Sequence, residues 1–190
     1  MVHFVAESAG RIMSDFGGSN TPKEFKDLWQ TPLPLFLALD LEFRFYLDAA
    51  ADAQNTLRAH YLTERDNALE CDWVSYGSIF CNPPYSNITP WVEKAAIECQ
   101  KQLQPIVMLV PSDTSVGWFK LARETADEVR LVTGGRISFI PANLKIKVSR
   151  NTKGSMFLIW RPFITPRKLI TTVDKEHLFN IGNNEIRKIT

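Results

Sequence analysis

Apolar residues fall along the chain in short blocks whose spacing alternates between strand-like and helix-like. Residues 32–41 are largely apolar and follow Trp29-Gln30-Thr31-Pro32, and a proline at the head of such a run predicts a short helix. Residues 43–47 read as a strand ending at Asp48, and Ala49-Ala50-Ala51-Asp52-Ala53 behind it is helix-prone. Residues 78–81 predict a strand that stops at Asn82-Pro83-Pro84-Tyr85, because two prolines allow neither a helix nor further ladder pairing. Thr89-Pro90 predicts a helix start, with the threonine as cap and the proline at the first helical position. Trp91, Val92, Ala95, Ala96 and Cys99 then recur on one helical face. Residues 105–110 form an uninterrupted buried-strand run stopped by Pro111. A helix over 115–125 follows, then strands over 129–133, 137–140 and 156–160.

This alternation predicts an α/β fold: a mostly parallel central sheet with helices on both faces and an antiparallel C-terminal hairpin made by the last two strands. Such sheets place ligand contacts where a carboxylate ends a buried strand, which singles out Asp48. Ahead of Trp29 no periodicity is sustained, and Gly17-Gly18-Ser19-Asn20 reads as part of a loose arm over residues 1–28. The body of the fold is expected over 29–162. Residues 163–190 read as a polar, basic extension with a short helix near 174–179. A chain of 190 residues without repeats or an evident linker predicts one domain.

Composition adds a class. Hydrophobic residues at 45% and charged residues at 23% are those of a globular domain and exclude a disordered or low-complexity chain. The net charge of +1 hides an asymmetry: residues 1–140 carry 12 basic and 18 acidic side chains, residues 141–190 carry 10 basic and 3 acidic. A basic C-terminal quarter on an acidic body suggests an anionic partner such as nucleic acid, or simply a solvated tail. The 141–155 loop, with Lys145, Lys147, Arg150 and Lys153, is the candidate for phosphate contact. Cys71, Cys81 and Cys99 are spaced neither as a zinc site nor as a redox pair, and His3, His60 and His177 are scattered. With no membrane span expected and no basic-then-apolar leader, the reading is a cytoplasmic protein without metal.

The tetrad Asn82-Pro83-Pro84-Tyr85 carries the chemistry. An exocyclic amine on a nucleobase or an amide is a poor nucleophile because its lone pair is delocalised. A site that accepts hydrogen bonds from both N–H groups pushes that nitrogen toward a pyramidal, reactive geometry. The Asn82 side-chain oxygen and the following backbone carbonyl suit this task, the prolines hold that carbonyl outward, and Tyr85 offers a flat face for stacking. Alignment with a sulfonium methyl in a dry pocket would supply most of the rate. The plainer alternative is a rigid Pro-Pro turn closing a strand, with Tyr85 in the core.

Taken in order, Trp29-Gln30-Thr31-Pro32, Leu47-Asp48-Ala49-Ala50-Ala51, Trp73, Phe80-Cys81-Asn82-Pro83-Pro84-Tyr85, Val107-Met108-Leu109-Val110-Pro111, Trp118-Phe119 and Gly135-Arg136-Ile137-Ser138-Phe139 resemble the phage-type DNA N6-adenine methyltransferases, the small Dam-like enzymes of phages and prophages. The resemblance covers roughly residues 29–160. It implies a class I methyltransferase fold, S-adenosylmethionine as cofactor, double-stranded DNA as partner, a flipped adenine as target and GATC as recognition sequence. By the same resemblance Thr31 and Pro32 contact the methionine end of the cofactor, with Thr21-Pro22 as a rival pair. Asp48, Ala49 and Ala50 form the first cofactor motif, Asp66 reads the cofactor's adenine, and Asn82 borders the cofactor as well as the target. Phe139 is a candidate second aromatic beside the flipped base, or a core residue. Arg136, the 145–153 loop and the 112–117 segment are candidates for DNA contact, with Tyr85 and Phe139 against the base.

Two departures from the family pattern stand out. No glycine pair follows Asp48, and the stretch from Asp48 to Asp66 is short for a second strand with its own ribose-binding carboxylate, Glu64 being the nearest candidate. The tetrad also serves enzymes that methylate RNA or protein glutamine, whereas methylation of cytosine N4 commonly uses Ser at its head. A non-catalytic DNA-binding protein that has lost its cofactor is the reading from a different class.

Overall fold

The computed structural model describes residues 29–141, 153–163 and 165–189. In chain order its elements are β1 (Trp29–Gln30), α1 (Leu33–Phe43), β2 (Phe45–Asp48), β3 (His60–Tyr61), a one-turn 3-10 helix (Glu64–Asp66), β4 (Ser78–Cys81), α2 (Thr89–Gln102), β5 (Ile106–Pro111), α3 (Gly117–Thr125), β6 (Glu128–Thr133), β7 (Ile140–Pro141), β8 (Ser155–Trp160), β9 (Leu169–Asp174) and α4 (Lys175–Ile189). Seven strands form one sheet in the order β3-β2-β4-β5-β8-β6-β9, while β1 and β7 pair separately. Every pairing in the large sheet is parallel except those of β8, which runs antiparallel to β5 and β6. The fold is thus a mostly parallel α/β sheet of the class I methyltransferase type.

Period-two alternation divides the core between the two faces. Ile79, Cys81, Met108, Val110, Met156 and Leu158 point to one side, where Val92, Ala95 and Cys99 of α2 and Trp118 and Ala122 of α3 cover them. Phe80, Val107, Leu109, Phe157 and Ile159 point to the other, under Leu35, Phe36 and Leu39 of α1 and Leu178 of α4. Helices α1 and α4 lie so close that a Cβ at Gly182 would overlap the Pro34 carbonyl, so this helix pairing requires a glycine.

Several local expectations change. Residues 137–140 do not form a strand of the large sheet; only Ile140 is in β7, paired with β1, and the antiparallel partners of β8 are β5 and β6. Residues 49–53 form bends and a turn rather than a helix, because Ala49 and Ala51 donate their N–H groups to Phe80 and Leu62 across neighbouring segments. Thr89 does not cap α2: Ile88 ahead of it already has helical φ and ψ, so Pro90 falls at the second position. A second strand does fit after Asp48, reduced to the two residues of β3. Beyond residue 163 the chain supplies a sixth parallel strand and a 15-residue helix, both packed onto the body. The 1–28 arm and most of the 141–155 loop lie outside the described residues.

Candidate active site

Strands β2, β4, β5, β6 and β9 share one direction, so their carboxyl ends open on one edge of the sheet. The chain leaves β2 outward to β3 and returns to β4 on β2's other side, which makes the gap beyond β2 and β4 the topological switch point where such sheets bind ligands. Asp48 ends β2 and the tetrad follows β4. The two meet directly, with Asp48 in register with Phe80 and the Ala49 N–H donating to the Phe80 carbonyl at 2.8 Å.

The Asn82 amide is held from behind. Its Nδ2 donates to the backbone carbonyl of Trp29 at 3.2 Å, which turns Oδ1 away from β1. That oxygen is buried and has no hydrogen-bond partner among the described residues, and the same is true of the Tyr85 hydroxyl. A buried acceptor without a donor costs about 1–3 kcal/mol, so two at one turn mark a place where a ligand completes the bonding. Burial pushes the Tyr85 hydroxyl above its ordinary range, so the ring stays neutral. The Phe139 ring meets Tyr85 edge-on, with centroids 6.1 Å apart and planes at 85°. The register of β1 on β7, Trp29 opposite Pro141 and Gln30 opposite Ile140, draws the Phe139 segment to the tetrad.

Asp48 is 4% exposed. Its carboxylate receives two long backbone contacts, 3.5 Å from Ala50 N and 3.4 Å from Leu57 N. Burial raises its pKa to about 6, with the Leu57 and Ala50 N–H groups and the nearby Arg58 charge opposing that rise. The Cys81 thiol beneath is driven well up by burial and by the Asp48 charge, which leaves it a small apolar filler. A buried carboxylate so weakly bonded is suited to a cationic or hydrogen-bond-donating ligand group.

Thr31 and Pro32 are buried next to the Trp29 anchor, and Ala49 and Ala50 form the turn over Asp48. Asp66 stands exposed on the 3-10 helix, and its Oδ2 accepts from the Thr63 N–H and hydroxyl at 2.8 and 2.7 Å, which lowers its pKa. Glu64, on the same turn, is exposed. Lys153 reaches Asp113 at 3.2 Å and Ser112 N donates to Gly154 O at 2.8 Å, so the 112–117 segment and the end of the basic loop meet at this edge. Arg136 is exposed on the 134–139 loop, whereas Lys145, Lys147 and Arg150 lie outside the described residues. Three contributors gave no signal in the sequence: the Trp29 carbonyl, the Leu57 N–H and Arg58. The first two are backbone groups, and Arg58 is recognisable only by its pairing with Asp40 and its place 4.9 Å over the Phe36 ring.

Residues 18–185 match the family model described as "DNA N-6-adenine-methyltransferase (Dam)". The chain is similar to the DNA N-6-adenine-methyltransferase of Escherichia phage T1, 33% identical over 161 residues that cover 77% of this chain and 67% of that protein. It is likewise similar to the DNA N-6-adenine-methyltransferase of Haemophilus phage HP1 (strain HP1c1), 34% identical over 148 residues that cover 76% of this chain and 84% of that protein. The putative methyltransferase YfdM of Escherichia coli (strain K12) shares 40% identity over 75 residues, 36% of this chain.

Proposed function

This chain belongs to the DNA N-6-adenine-methyltransferase (Dam) family, and from that premise we propose that it methylates N6 of an adenine turned out of double-stranded DNA, with S-adenosylmethionine as donor and GATC as the sequence acted upon. The observation that carries the reading is the unpartnered, buried Oδ1 of Asn82, oriented by the Trp29 carbonyl. An amine N–H is the complement of that acceptor, and the Pro83 carbonyl serves the second N–H. Both bonds strengthen as positive charge develops on the nitrogen, so they favour the transition state over the ground state. Tyr85 supplies the face on which the extruded base stacks, and Phe139 closes its side.

The residues at the switch point fit the donor. Asp48, buried and thinly hydrogen-bonded, suits a donor group or positive charge, and Ala49 and Ala50 present backbone over it. Thr31 and Pro32 would hold the amino-acid end beside the Trp29 anchor, Asn82 would border the methyl, and Asp66 would bond the adenine through whatever acceptor capacity Thr63 leaves it. The bound donor supplies an electrophilic methyl on positively charged sulfur; the protein positions the amine and excludes water. Arg136, Lys153 and the loop bearing Lys145, Lys147 and Arg150 would grip the DNA backbone. Among the described residues no helix is long and apolar enough to cross a membrane, and the substrate would be met in the cytoplasm of a host cell.

The test is tritium transfer from labelled S-adenosylmethionine to unmethylated plasmid DNA, followed by digestion with GATC-reading nucleases. Incorporation with a changed GATC cleavage pattern supports the whole reading. Incorporation without that change removes GATC and keeps adenine. Cofactor binding without DNA methylation turns the assignment toward RNA or protein glutamine, and absence of both leaves a DNA-binding remnant.

A further inference from the structure

A second concavity opens beside the candidate active site, on the same edge of the sheet. It measures about 240 Å³ and is lined by Arg136 and Ser138 of the 134–139 loop and by Lys175, Glu176, Phe179 and Asn180 of α4. Lys175, Glu176, Phe179 and Asn180 follow one another at helical spacing along α4; Leu178 and Gly182 are buried against the body with the partly buried Phe179 packed beside them, and Glu176 and Asn180 stay exposed. The opposing loop turns through two glycines beside the junction of β9 and α4. Gly134 and Gly135 have φ of +73° and +133°, a Cβ at Gly134 would overlap the Asp174 carboxylate, and one at Gly135 would come within 3.2 Å of Lys175 Nζ. The same loop carries Phe139, whose ring meets Tyr85 edge-on, so the loop that borders the tetrad also supplies Arg136 and Ser138 to the concavity.

The lining is chemically mixed. A phosphate grip would hold donors alone, and the Glu176 carboxylate works against one. Cationic donors, a carboxylate acceptor, an amide and a hydroxyl that both donate and accept, and the Phe179 ring together match the edge and face of a nucleobase. We propose that this concavity reads a base adjacent to the methylated adenine, so that β9 and α4 form the specificity element of the enzyme. The inference rests on the DNA-methylating reading above.

The experiment measures methylation of duplexes randomised at the positions flanking the adenine by the wild type, Glu176→Gln and Asn180→Ala. Both side chains are exposed, and thermal melting with and without S-adenosylmethionine verifies fold and cofactor binding in each variant. Expected is a loss of about tenfold in discrimination at one flanking position, with methylation of the best sequence within a few-fold of wild type and an unchanged salt dependence of binding. A uniform loss across all sequences in both variants, with no change of preference at any flanking position, would overturn base reading. Unaltered preference in both variants would also overturn it and leave the DNA-methylating activity standing. A wild type that binds cofactor yet methylates no duplex would remove both.

Discussion

The two ends of the sheet are built on opposite rules. At the amino end Asp127 and Glu128, 1% and 4% exposed, have every carboxylate oxygen paired. Asp127 accepts from Arg161 Nη1 at 2.8 Å and from Arg167 through N, Nε and Nη2 at 2.7–3.2 Å. Glu128 accepts from Arg130 Nε at 2.8 Å, Thr171 Oγ1 at 2.6 Å and Arg161 Nη1 at 3.0 Å. The Arg167 side chain leads in bringing the Asp127 pKa down to about 2. Burial alone would raise that of Glu128, but Arg130, Thr171 and Arg161 outweigh it and hold it at about 2. At the carboxyl end burial is not answered in this way: Asp48 is pushed up to about 6, and Asn82 Oδ1 and the Tyr85 hydroxyl stand unpartnered. One end uses its polar groups for folding and ties the segment leading to β9 to the sheet; the other leaves them unpaired where the proposed ligand would sit.

The largest expected effect removes the saturated end. Asp127→Ala leaves the Arg161 and Arg167 guanidinium groups facing Glu128 with fewer partners, and a broken buried network of this kind costs about 3–5 kcal/mol. Chemical denaturation should show that loss, while methylation per folded molecule at low temperature stays near wild type. A fall in specific activity comparable to Asn82→Ala would dissolve the division between the ends.

The reverse substitution, Asn82→Ala, should lower the methylation rate by about 10²–10³-fold. Denaturation would register no more than the lost bond to Trp29 O, about 0.5–1.5 kcal/mol.

Asp48 sharpens the contrast through pH. Its folded pKa is raised from 3.8 to about 6, so the folded state binds more protons in that window and its stability falls as pH rises from about 4 to 6. Asp127 and Glu128 carry the opposite sign. Their folded values of about 2 lie below the ordinary 3.8 and 4.5, so the stability they contribute is present above that range and is lost as pH falls toward 2. Asp48→Asn should therefore match wild-type stability near pH 4 and gain on it toward pH 7, by up to about 3 kcal/mol, while its cofactor-induced melting shift shrinks. A stability difference that does not vary with pH would contradict this account of Asp48.

Tyr85→Phe is the mildest test. Deleting a buried hydroxyl without a partner should stabilise the unliganded fold by up to about 1 kcal/mol and lower methylation by only about 2- to 10-fold, the worth of one neutral hydrogen bond to the ligand, because the stacking face persists. Loss of activity as deep as that of Asn82→Ala would mean that the hydroxyl, not the ring, meets the substrate.

What the sequence disclosed follows from which signals are local. The β4–tetrad–α2 passage, β5 and β8 read clearly because their apolar runs are buried on both faces and bounded by prolines or charges. β3 and β7 have two residues each and no periodicity to find, so the second strand after Asp48 and the pairing of β1 with β7 emerge only in three dimensions. β9 exposes Leu169, Ile170, Thr172 and Asp174 on the sheet rim, and α4 masks its buried Leu178 and Gly182 among Asn180, Asn183, Asn184 and Glu185, so both look like a polar tail. The tetrad itself was legible as the point where β4 ends and the chain leaves the sheet. Its orientation was not, because a backbone carbonyl 53 residues away sets the Asn82 amide and a carbonyl has no sequence signature.

The division between the two ends is tested most directly by tritium transfer to plasmid DNA for wild type and Asn82→Ala side by side, with the cofactor-induced melting shift recorded on the same preparations. Incorporation by the wild type, its near loss in the variant, and equal melting shifts in both are the predicted result. A variant that binds cofactor equally and methylates DNA at the wild-type rate would contradict it, because the unpartnered oxygen of Asn82 would then play no part in the chemistry.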